Sequence, residues 1–390
     1  MARLRGLSPE AWEEQVNARE TRARVEVVRT APRTMFLEIT GRCPIECLMC
    51  ARRYRNWKYG DLDERIFAKL ERVFPRVGMV VLGGFGEPLA AASFDSRFER
   101  LLGLGARVAL QTSGYRLTEE RAVQLTRGLR HLHISMDSPE EATYRSIRPR
   151  IAFQEVTARI RQMAALKREG GSPYPTIHVV FVAMRRNIEQ LPAMVDLVAE
   201  LGADNLTVQY MVAHGEEVRE ESLFYHKGLA NRMLGLAEAR AKEIGLNVTL
   251  PARFGEPHPP SPAPRAERGQ TETARESGHP RGEVRASDSS TPRLLDSSGV
   301  RCTDPWQVAF VRWNGEVHPC CYAPSNVVMG SLAERSFWEI WNGPAYRELR
   351  RRVNSADPPD YCRTCTVGRL CGVDDERAHV VLGETSPASA

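Results

Sequence analysis

The chain has 390 residues, of which 42% are hydrophobic, so it is long enough for two domains with sizeable cores. Its formal net charge is +5, but no compact basic block is interleaved with aromatic residues, and a nucleic-acid-binding function is therefore not expected. No run reaches about 18 consecutive apolar residues and the N-terminus lacks the apolar core of a signal peptide, so we predict a cytoplasmic protein without a membrane span.

The first predicted elements belong to a polar N-terminal extension and an alternating α/β region. Residues 1–33 form the extension, with one short helix near 9–19. Strands are predicted at 34–39, 79–82, 108–111, 132–135, 176–184 and 205–210. Helices are predicted between them at 63–73, 94–102, 118–129, 152–168 and 187–201, and after them at 223–244. The start of the helix at 187–201 is predicted from Asn187, a good N-cap, with Gln190 three residues later.

This alternation of strands and helices is typical of parallel βαβ units. Since such units have one handedness, they predict an α/β fold, a partial (βα)6 TIM-like barrel over residues 34–250. His131 and His133 share a strand face with Ser135, and we predict that they form a polar inner layer of the barrel.

The chain changes in composition after the predicted barrel. Residues 251–299 are rich in Pro, Ser, Glu, Arg and Gly and hold few aliphatic residues, which predicts a disordered linker or insertion. A small C-terminal α+β domain is predicted at 300–375, with a tail at 376–390. In that domain, strands at 306–311 and 316–319 are joined by a turn at Asn314-Gly315, and helices follow at 337–341 and 344–353.

All nine cysteines lie in two groups, residues 43–50 and 302–371. Dispersed disulfides would not give this distribution, which indicates metal or cluster ligands in a reducing compartment. Cys43, Cys47 and Cys50 form a C-x3-C-x2-C run directly after the first predicted strand. Three thiolates on one loop can hold three irons of a [4Fe–4S] cluster and leave the fourth open to a small molecule. A zinc-binding loop is the alternative, although such loops more often use C-x2-C pairs.

This cysteine run resembles that of the radical S-adenosylmethionine (SAM) superfamily, and the resemblance covers roughly residues 34–210. Met49 departs from the pattern, because the residue before the third cysteine is commonly aromatic. The resemblance implies that Cys43, Cys47 and Cys50 are catalytic and that the open iron binds SAM through its amino and carboxylate groups. It also implies that reductive cleavage of SAM gives methionine and a 5′-deoxyadenosyl radical.

Several strand ends are similar to further motifs of that superfamily, at the edge where parallel barrels place their active sites. Residues 83–88 are similar to its GGE-type motif, which implies that Glu87 and the neighbouring glycines hold the SAM amino group. Arg148 and Arg185 are candidates for the SAM carboxylate, with surface ion pairing as the alternative for each. Asp137 is a candidate for a loop, ribose or substrate contact, or for a helix cap. The candidate SAM-binding residues are Gly84, Gly86, Glu87, Thr112, Ser135, Arg148 and Arg185.

The second cysteine group resembles the SPASM/Twitch extension of radical SAM enzymes, which holds auxiliary iron–sulfur clusters. The resemblance implies one auxiliary [4Fe–4S] cluster, because Asp375 stands where the full pattern has a further cysteine. The predicted ligands are Cys302, Cys320, Cys362 and Cys365, with Cys321 and Cys371 as substitutes. Structural zinc on the same four sulfurs is the alternative.

We therefore predict a radical SAM enzyme that removes hydrogen from a C–H bond of a small molecule, with the auxiliary cluster assisting oxidation. Its expected partners are the substrate and an electron donor such as flavodoxin or ferredoxin. A peptide- or protein-modifying maturase is the alternative, but residues 1–33 are too few for a folded precursor-binding domain. A non-catalytic zinc scaffold is a third hypothesis, against which Glu87 and the strand-end motifs argue.

Overall fold

The computed structural model describes residues 7–55, 57–255, 302–363, 365 and 373–381. The predicted linker lies outside the described residues from position 256 onward, as do Cys371 and the predicted tail after residue 381.

A ten-stranded sheet forms the centre of the molecule, in the order β10-β9-β8-β1-β2-β3-β4-β5-β6-β7. The strands are β1 Thr34–Leu37, β2 Met79–Leu82, β3 Val108–Thr112, β4 His131–Ser135, β5 Thr176–Ala183, β6 Asn205–Tyr210, β7 Asn247–Thr249, β8 Val308–Val311, β9 Glu316–His318 and β10 Gly330–Ser331. All neighbours from β8 to β7 are parallel, whereas β9 and β10 are antiparallel. The predicted α/β class and the six predicted barrel strands are confirmed, and β7 adds a further parallel strand.

Helices connect the parallel strands, and others precede β1 or follow β10. They are α1 Pro9–Ala23, α2 Ala51–Tyr54, α3 Glu64–Leu70, α4 Phe94–Gly103, α5 Glu119–Gly128, α6 Glu141–Ile147, α7 Phe153–Glu169, α8 Leu191–Glu200, α9 Lys227–Ile244, α10 Asp304–Gln307, α11 Phe337–Trp341, α12 Pro344–Arg352 and α13 Asp360–Arg363. Short 3-10 helices occupy Phe74–Arg76, Pro88–Ala90, Ile188–Gln190, Glu216–Glu221, Leu223–His226 and Glu376–Ala378. No helix within the described ranges is long and apolar enough to cross a membrane.

The two faces of the parallel strands differ in character. Leu37, Leu82, Leu110 and Ile134 are fully buried in the core on one face. Successive strand residues point to opposite faces, so the alternate positions form a second face, called the inner face below. Glu38 directly follows β1 and lies on the inner face. Most of the residues that are in register with Glu38 on the other strands are polar. Registry places there Arg312, Glu38, Gln111, His133, His178 and Asn205, with Gly83 between Glu38 and Gln111.

Within residues 302–363 and 373–381, the strands of the C-terminal region extend the barrel sheet and form no separate sheet. β8 pairs in parallel with β1, with Phe310 beside Phe36, and the β8–β9 turn contains Gly315 at φ +83°. The N-terminal extension joins the two regions. The Asn17 amide donates to the Trp306 carbonyl at 2.8 Å, and the Trp341 indole donates to the Thr30 carbonyl at 3.0 Å. Residues 7–33 of the extension are therefore part of the folded body.

The predicted N-cap at Asn187 is wrong. The Asn187 Oδ1 accepts from the Met184 amide at 2.7 Å, and its Nδ2 donates to the carbonyls of Asp137 and Val182, both at 2.9 Å. A 3-10 turn follows, and α8 begins only at Leu191. The buried side-chain amide is used to hold the ends of β4 and β5 together, and so it cannot cap the helix.

Candidate active site

The three predicted cluster ligands lie together on the loop that follows β1. Cys43, Cys47 and Cys50 are half-buried free thiols. The base of the loop is closed by a hydrogen bond from the Gly41 amide to the Gly60 carbonyl at 2.8 Å. Burial raises the pKa of Cys43 to about 11 and also raises the pKa of Cys47. Thiolates in such a place need positive charge, which an iron cluster provides, so the three residues fit the cluster.

Arg148 is one source of positive charge at this loop. Its Nη1 donates to the Cys47 Sγ at 3.4 Å, and its Nε donates to Asp137 Oδ2 at 2.5 Å. The other Asp137 oxygen accepts from the Val182 amide at 2.8 Å, so Asp137 is not a helix cap. Both side chains are buried. A buried guanidinium between a carboxylate and a cluster sulfur can set the position of the cysteine loop. Its predicted contact with SAM stays a prediction.

Glu87 links the loop after β2 to the end of β3. Its side chain is buried, which raises its pKa, although hydrogen bonds from Ser113 and Thr112 oppose this. Oε1 accepts from the Thr112 hydroxyl at 2.7 Å, while Oε2 accepts from the Ser113 amide at 2.8 Å and its hydroxyl at 2.5 Å. Two of the predicted SAM-binding residues, Glu87 and Thr112, therefore touch each other. Oε1 also accepts from the Leu89 amide at 3.1 Å, so four protein donors bind the carboxylate. The predicted contact of Glu87 with the SAM amino group stays a prediction.

The glycines of the GGE-type motif let this loop pack on the cysteine loop. A Cβ on Gly86 would overlap the Thr40 carbonyl, with the carbonyl carbon only 2.7 Å away. Gly84 has φ +145°, and a Cβ there would lie 2.9 Å from Glu38 Oε1. The Glu87 amide then donates to the Arg42 carbonyl at 2.9 Å. The sequence-predicted residues of β2 and of the cysteine loop are thus brought together.

Histidines line the inner face beneath Ser135, as predicted. The rings of His133 and His178 stack with centroids 4.7 Å apart. Burial lowers the pKa of His133 to about 3 and that of His178 to about 4, so both are neutral near pH 7. His131 shares a 2.6 Å hydrogen bond with Thr176, which also contacts His178 at 2.8 Å. The predicted polar inner layer is confirmed.

Arg185 lies in a different setting from the other candidates. Its Nη1 is 2.8 Å from Glu189 Oε1, and both side chains are substantially exposed. This is the surface ion pair that the sequence left open as the alternative. The assignment of Arg185 to the SAM carboxylate stays a prediction.

Two buried charged residues at the site were missed from the sequence. Glu38, just past β1, is 1% exposed and accepts from the Phe85 amide at 2.8 Å. Its Oε2 lies 3.5 Å from the Nε of Arg312, which follows β8. Burial raises the pKa of Glu38, while Arg312 opposes this. A carboxylate within the apolar run 35–39 was the available signal, but nothing local identified its partner.

The C-terminal cysteines gather around Asp304. The half-buried Cys320 thiol interacts electrostatically with Asp304, Cys321 and Cys302, and Cys362 interacts with Cys365 and Asp304. Burial raises the pKa of Cys320, and it raises that of Cys362 to about 12. The four predicted auxiliary ligands are therefore close enough to influence one another electrostatically, and the cluster that they would share stays a prediction. Among the described residues, no group of three or more His, Cys, Asp or Glu side chains is arranged to hold a single metal ion.

Family models match both halves of this arrangement. The radical SAM superfamily model matches residues 37–198, and the model of the SPASM iron–sulfur cluster-binding domain matches residues 302–366. The chain belongs to the radical SAM superfamily. It is a radical SAM enzyme with a C-terminal SPASM-type domain, and its cofactors are a [4Fe–4S] cluster, SAM and auxiliary iron–sulfur.

Relatives are similar along most of the chain. The tungsten-containing aldehyde ferredoxin oxidoreductase cofactor-modifying protein of Pyrococcus furiosus is 23% identical, over 86% of this chain and 88% of its own. The PqqA peptide cyclase of Streptomyces rochei is 26% identical, over 86% and 82%. Streptococcus suis SuiB bound to precursor peptide SuiA has a TM-score of 0.60 at 11% identity, over 93% of this chain and 76% of that one, and this likeness shows the fold.

Proposed function

We propose that this radical SAM enzyme modifies a peptide or a protein. The sequence similarity to a PqqA peptide cyclase runs through both the barrel and the SPASM-type domain. SuiB, which shares the fold, is bound to a precursor peptide. Both observations favour the alternative drawn from the sequence over the small-molecule substrate that was the main prediction. The relative from Pyrococcus furiosus is a cofactor-modifying protein, so a small molecule is the second candidate for the substrate.

The observation that carries the proposal is the openness of the inner face. Gln111 on β3 and Gln209 on β6 are exposed, although both strands lie inside the sheet with a neighbour on each side. A closed core would bury such positions. Gln111 and Gln209 are therefore accessible to a substrate, and their amides can bind the polar groups of a peptide backbone.

The protein residues have separable roles in this proposal. Cys43, Cys47 and Cys50 hold the cluster, which, when bound, supplies the electron that cleaves SAM and so gives the radical that removes a substrate hydrogen atom. The loop of Gly84 and Gly86 presents backbone groups to the SAM amino group. Glu87 keeps that loop in register with Thr112. The SAM pocket is completed by Ser135, Arg148 and Arg185.

The auxiliary site is assigned one [4Fe–4S] cluster on Cys302, Cys320, Cys362 and Cys365, with Cys321 and Cys371 as substitutes. Such a cluster supplies an acceptor for the second electron of a net oxidation. Asp375, where a full SPASM pattern has a cysteine, is instead paired with Arg377. A flavodoxin or ferredoxin is the proposed source of electrons.

The metal content tests the cofactor part of this assignment. Protein reconstituted without oxygen should bind about eight irons per chain, as two [4Fe–4S] clusters. Replacing Cys43, Cys47 and Cys50 together by alanine should remove about half of that iron and abolish 5′-deoxyadenosine formation. Zinc in place of iron in protein purified without oxygen would contradict the assignment.

The substrate class is tested by coupling SAM cleavage to a defined substrate. Reduced holoenzyme would be incubated with SAM and either a pool of synthetic peptides or a pool of small metabolites. We expect peptides to raise the rate of 5′-deoxyadenosine formation above the substrate-free rate and to change in mass. The triple cysteine variant is the control. Stimulation by small molecules alone, with every peptide unchanged, would reject the proposal.

A further inference from the structure

Arg312 and Glu38 are neighbours at the active-site end of the sheet. Leu37 of β1 is in register with Val311 of β8, and the Glu38 amide donates to the Val311 carbonyl at 2.9 Å. The two charged residues therefore follow the carboxyl ends of adjacent parallel strands. In parallel barrels these ends carry the substrate site. Arg312 thus reaches the barrel's inner face from the SPASM-type domain.

The Arg312 guanidinium is buried between two aromatic rings and one carboxylate. The residue is 8% exposed. Its Cζ lies 4.7 Å from the centroid of the Trp57 ring and 5.9 Å from that of Phe85, distances at which a cation is attracted to the ring face. Phe85 belongs to the GGE-type loop, so this arginine borders the SAM motif. On its Nε side it faces Glu38 Oε2 at 3.5 Å.

One nitrogen of the guanidinium is left unsatisfied within the protein. The Arg312 Nε is buried and, although it lies 3.5 Å from Glu38 Oε2, it makes no hydrogen bond with any of the residues that the structure describes. The indole N–H of Trp57 is buried and also has no partner in the described part of the chain. Buried polar groups are nearly always satisfied, and a buried charge especially so. Two unsatisfied donors beside one another indicate a ligand.

We propose that Arg312 binds a carboxylate of the substrate, with the Trp57 indole as a second donor. The planar edge of a guanidinium matches the two oxygens of a carboxylate. Glu38 keeps the local charge close to balance, so a singly charged anion suits the site better than a doubly charged phosphate. Gln111 borders the same place, because a Cβ on Gly83 would lie 2.8 Å from its Oε1.

The source of the carboxylate rests on the proposed function. In a peptide substrate it is either the side chain of an aspartate or glutamate or the C-terminal carboxylate. The carboxylate of SAM is the competing occupant, since Phe85 lies beside Arg312. All three sources supply a carboxylate. The binding experiment below distinguishes them by using a different probe for each peptide carboxylate and by measuring SAM affinity separately.

Binding is measured on SAM-loaded, unreduced holoenzyme, where no turnover occurs, by saturation-transfer NMR. N-acetyl-glutamate N-methylamide is compared with its glutamine analogue, and N-acetyl-alanine with N-acetyl-alaninamide. We expect one carboxylate probe to bind about tenfold or more tightly than its amide, the preference expected of a hydrogen-bonded charge pair. Arg312→Gln should abolish that preference, whereas Arg335→Gln, at an exposed arginine of the same domain, should retain it.

A second variant guards against misfolding. Glu38→Gln/Arg312→Gln removes both charges of the buried pair and should fold with unchanged iron content, yet it should still show no preference for the carboxylate. Equal binding of acid and amide by the wild type, or a preference that survives both variants, would overturn the proposal. So would a loss of SAM affinity in Arg312→Gln as large as the loss for the probe. If the preference holds while no peptide is modified, the carboxylate site stands and the peptide proposal fails.

Discussion

Replacing Gly60 by alanine tests whether the SPASM-type domain supports the cysteine loop. Trp313, which follows Arg312, lies in a slot between Gly41 and Gly60. A Cβ on Gly41 would be 2.5 Å from the Trp313 Cδ1, and one on Gly60 would be 2.7 Å from its Cε3. Neither glycine has a positive φ, so space is the reason for glycine at both positions. The indole therefore fits only where the loop has no side chain.

The expected energies follow from this geometry. Gly60→Ala overpacks the slot and should lower the free energy of unfolding by about 1–3 kcal/mol. Trp313→Ala should cost about 2–3 kcal/mol, less than for a fully buried tryptophan, because the ring is half-buried. In the double variant no ring remains to clash with the new methyl group. It should therefore be no less stable than Trp313→Ala alone, which gives a coupling energy of about 1–3 kcal/mol.

Urea unfolding of the three variants, without oxygen and at equal iron content, measures that coupling. Gly228→Ala is the matched control, because its Cβ would meet no atom within 4 Å in α9. This change should stabilise the protein by at most about 0.5 kcal/mol, because Gly228 lies in the first turn of the helix and not in its middle. Additive costs of Gly60→Ala and Trp313→Ala, within about 0.5 kcal/mol, would refute the packing of Trp313 against Gly60.

Three further predictions concern buried polar groups. Arg148→Gln leaves the Asp137 carboxylate buried without its partner and should cost about 3–5 kcal/mol in urea unfolding, most of which Asp137→Asn/Arg148→Gln should recover. Glu87→Gln places the N–H donors of the glutamine amide against the Thr112 hydroxyl and the Ser113 amide, which now donate to the carboxylate. The loop that carries residue 87 should then shift, and calorimetry should show weaker SAM binding at unchanged iron content. The depressed pKa values of His133 and His178 mean that the unfolded chain binds protons which the folded chain does not. Stability should therefore fall as the pH drops from 6.5 towards about 4, with a smaller slope in His133→Gln/His178→Gln, and an unchanged slope would contradict this.

The barrel strands could be predicted because buried parallel strands are short apolar runs that end at glycine or polar residues. Because the predicted strands are parallel, the residues that follow their carboxyl ends are expected to meet at one edge of the sheet. The contact between Glu87 and Thr112 is a direct consequence. The short strand β7 and helix α6 were missed. All three residues of β7 are only partly buried, and α6 is a short segment with few apolar residues.

The roles of individual polar side chains were harder to predict than the elements that carry them. Asn187 has the chemistry of a helix cap, and its helix does begin nearby, but the amide is used in the interior. Asp137 similarly turned out to pair with Arg148 and the Val182 amide. In each case one competing partner lies at the end of another strand, the Asp137 carbonyl for Asn187 and the Val182 amide for Asp137. Sequence patterns describe local preferences. The hydrogen-bond partner of a buried polar group depends instead on which donors and acceptors, distant in sequence, would otherwise be left unsatisfied.

The contacts of greatest functional interest join residues more than 250 positions apart. Glu38 meets Arg312, and Gly41 meets Trp313, only because β8 lies parallel to β1. Without that strand, β1 would be an exposed edge beside a buried, uncompensated Glu38 carboxylate. Both conditions are unfavourable for a folded protein. The barrel and the SPASM-type domain are therefore expected to form one cooperative unit, in which the auxiliary domain completes the wall beside the SAM site as well as holding its own cysteines.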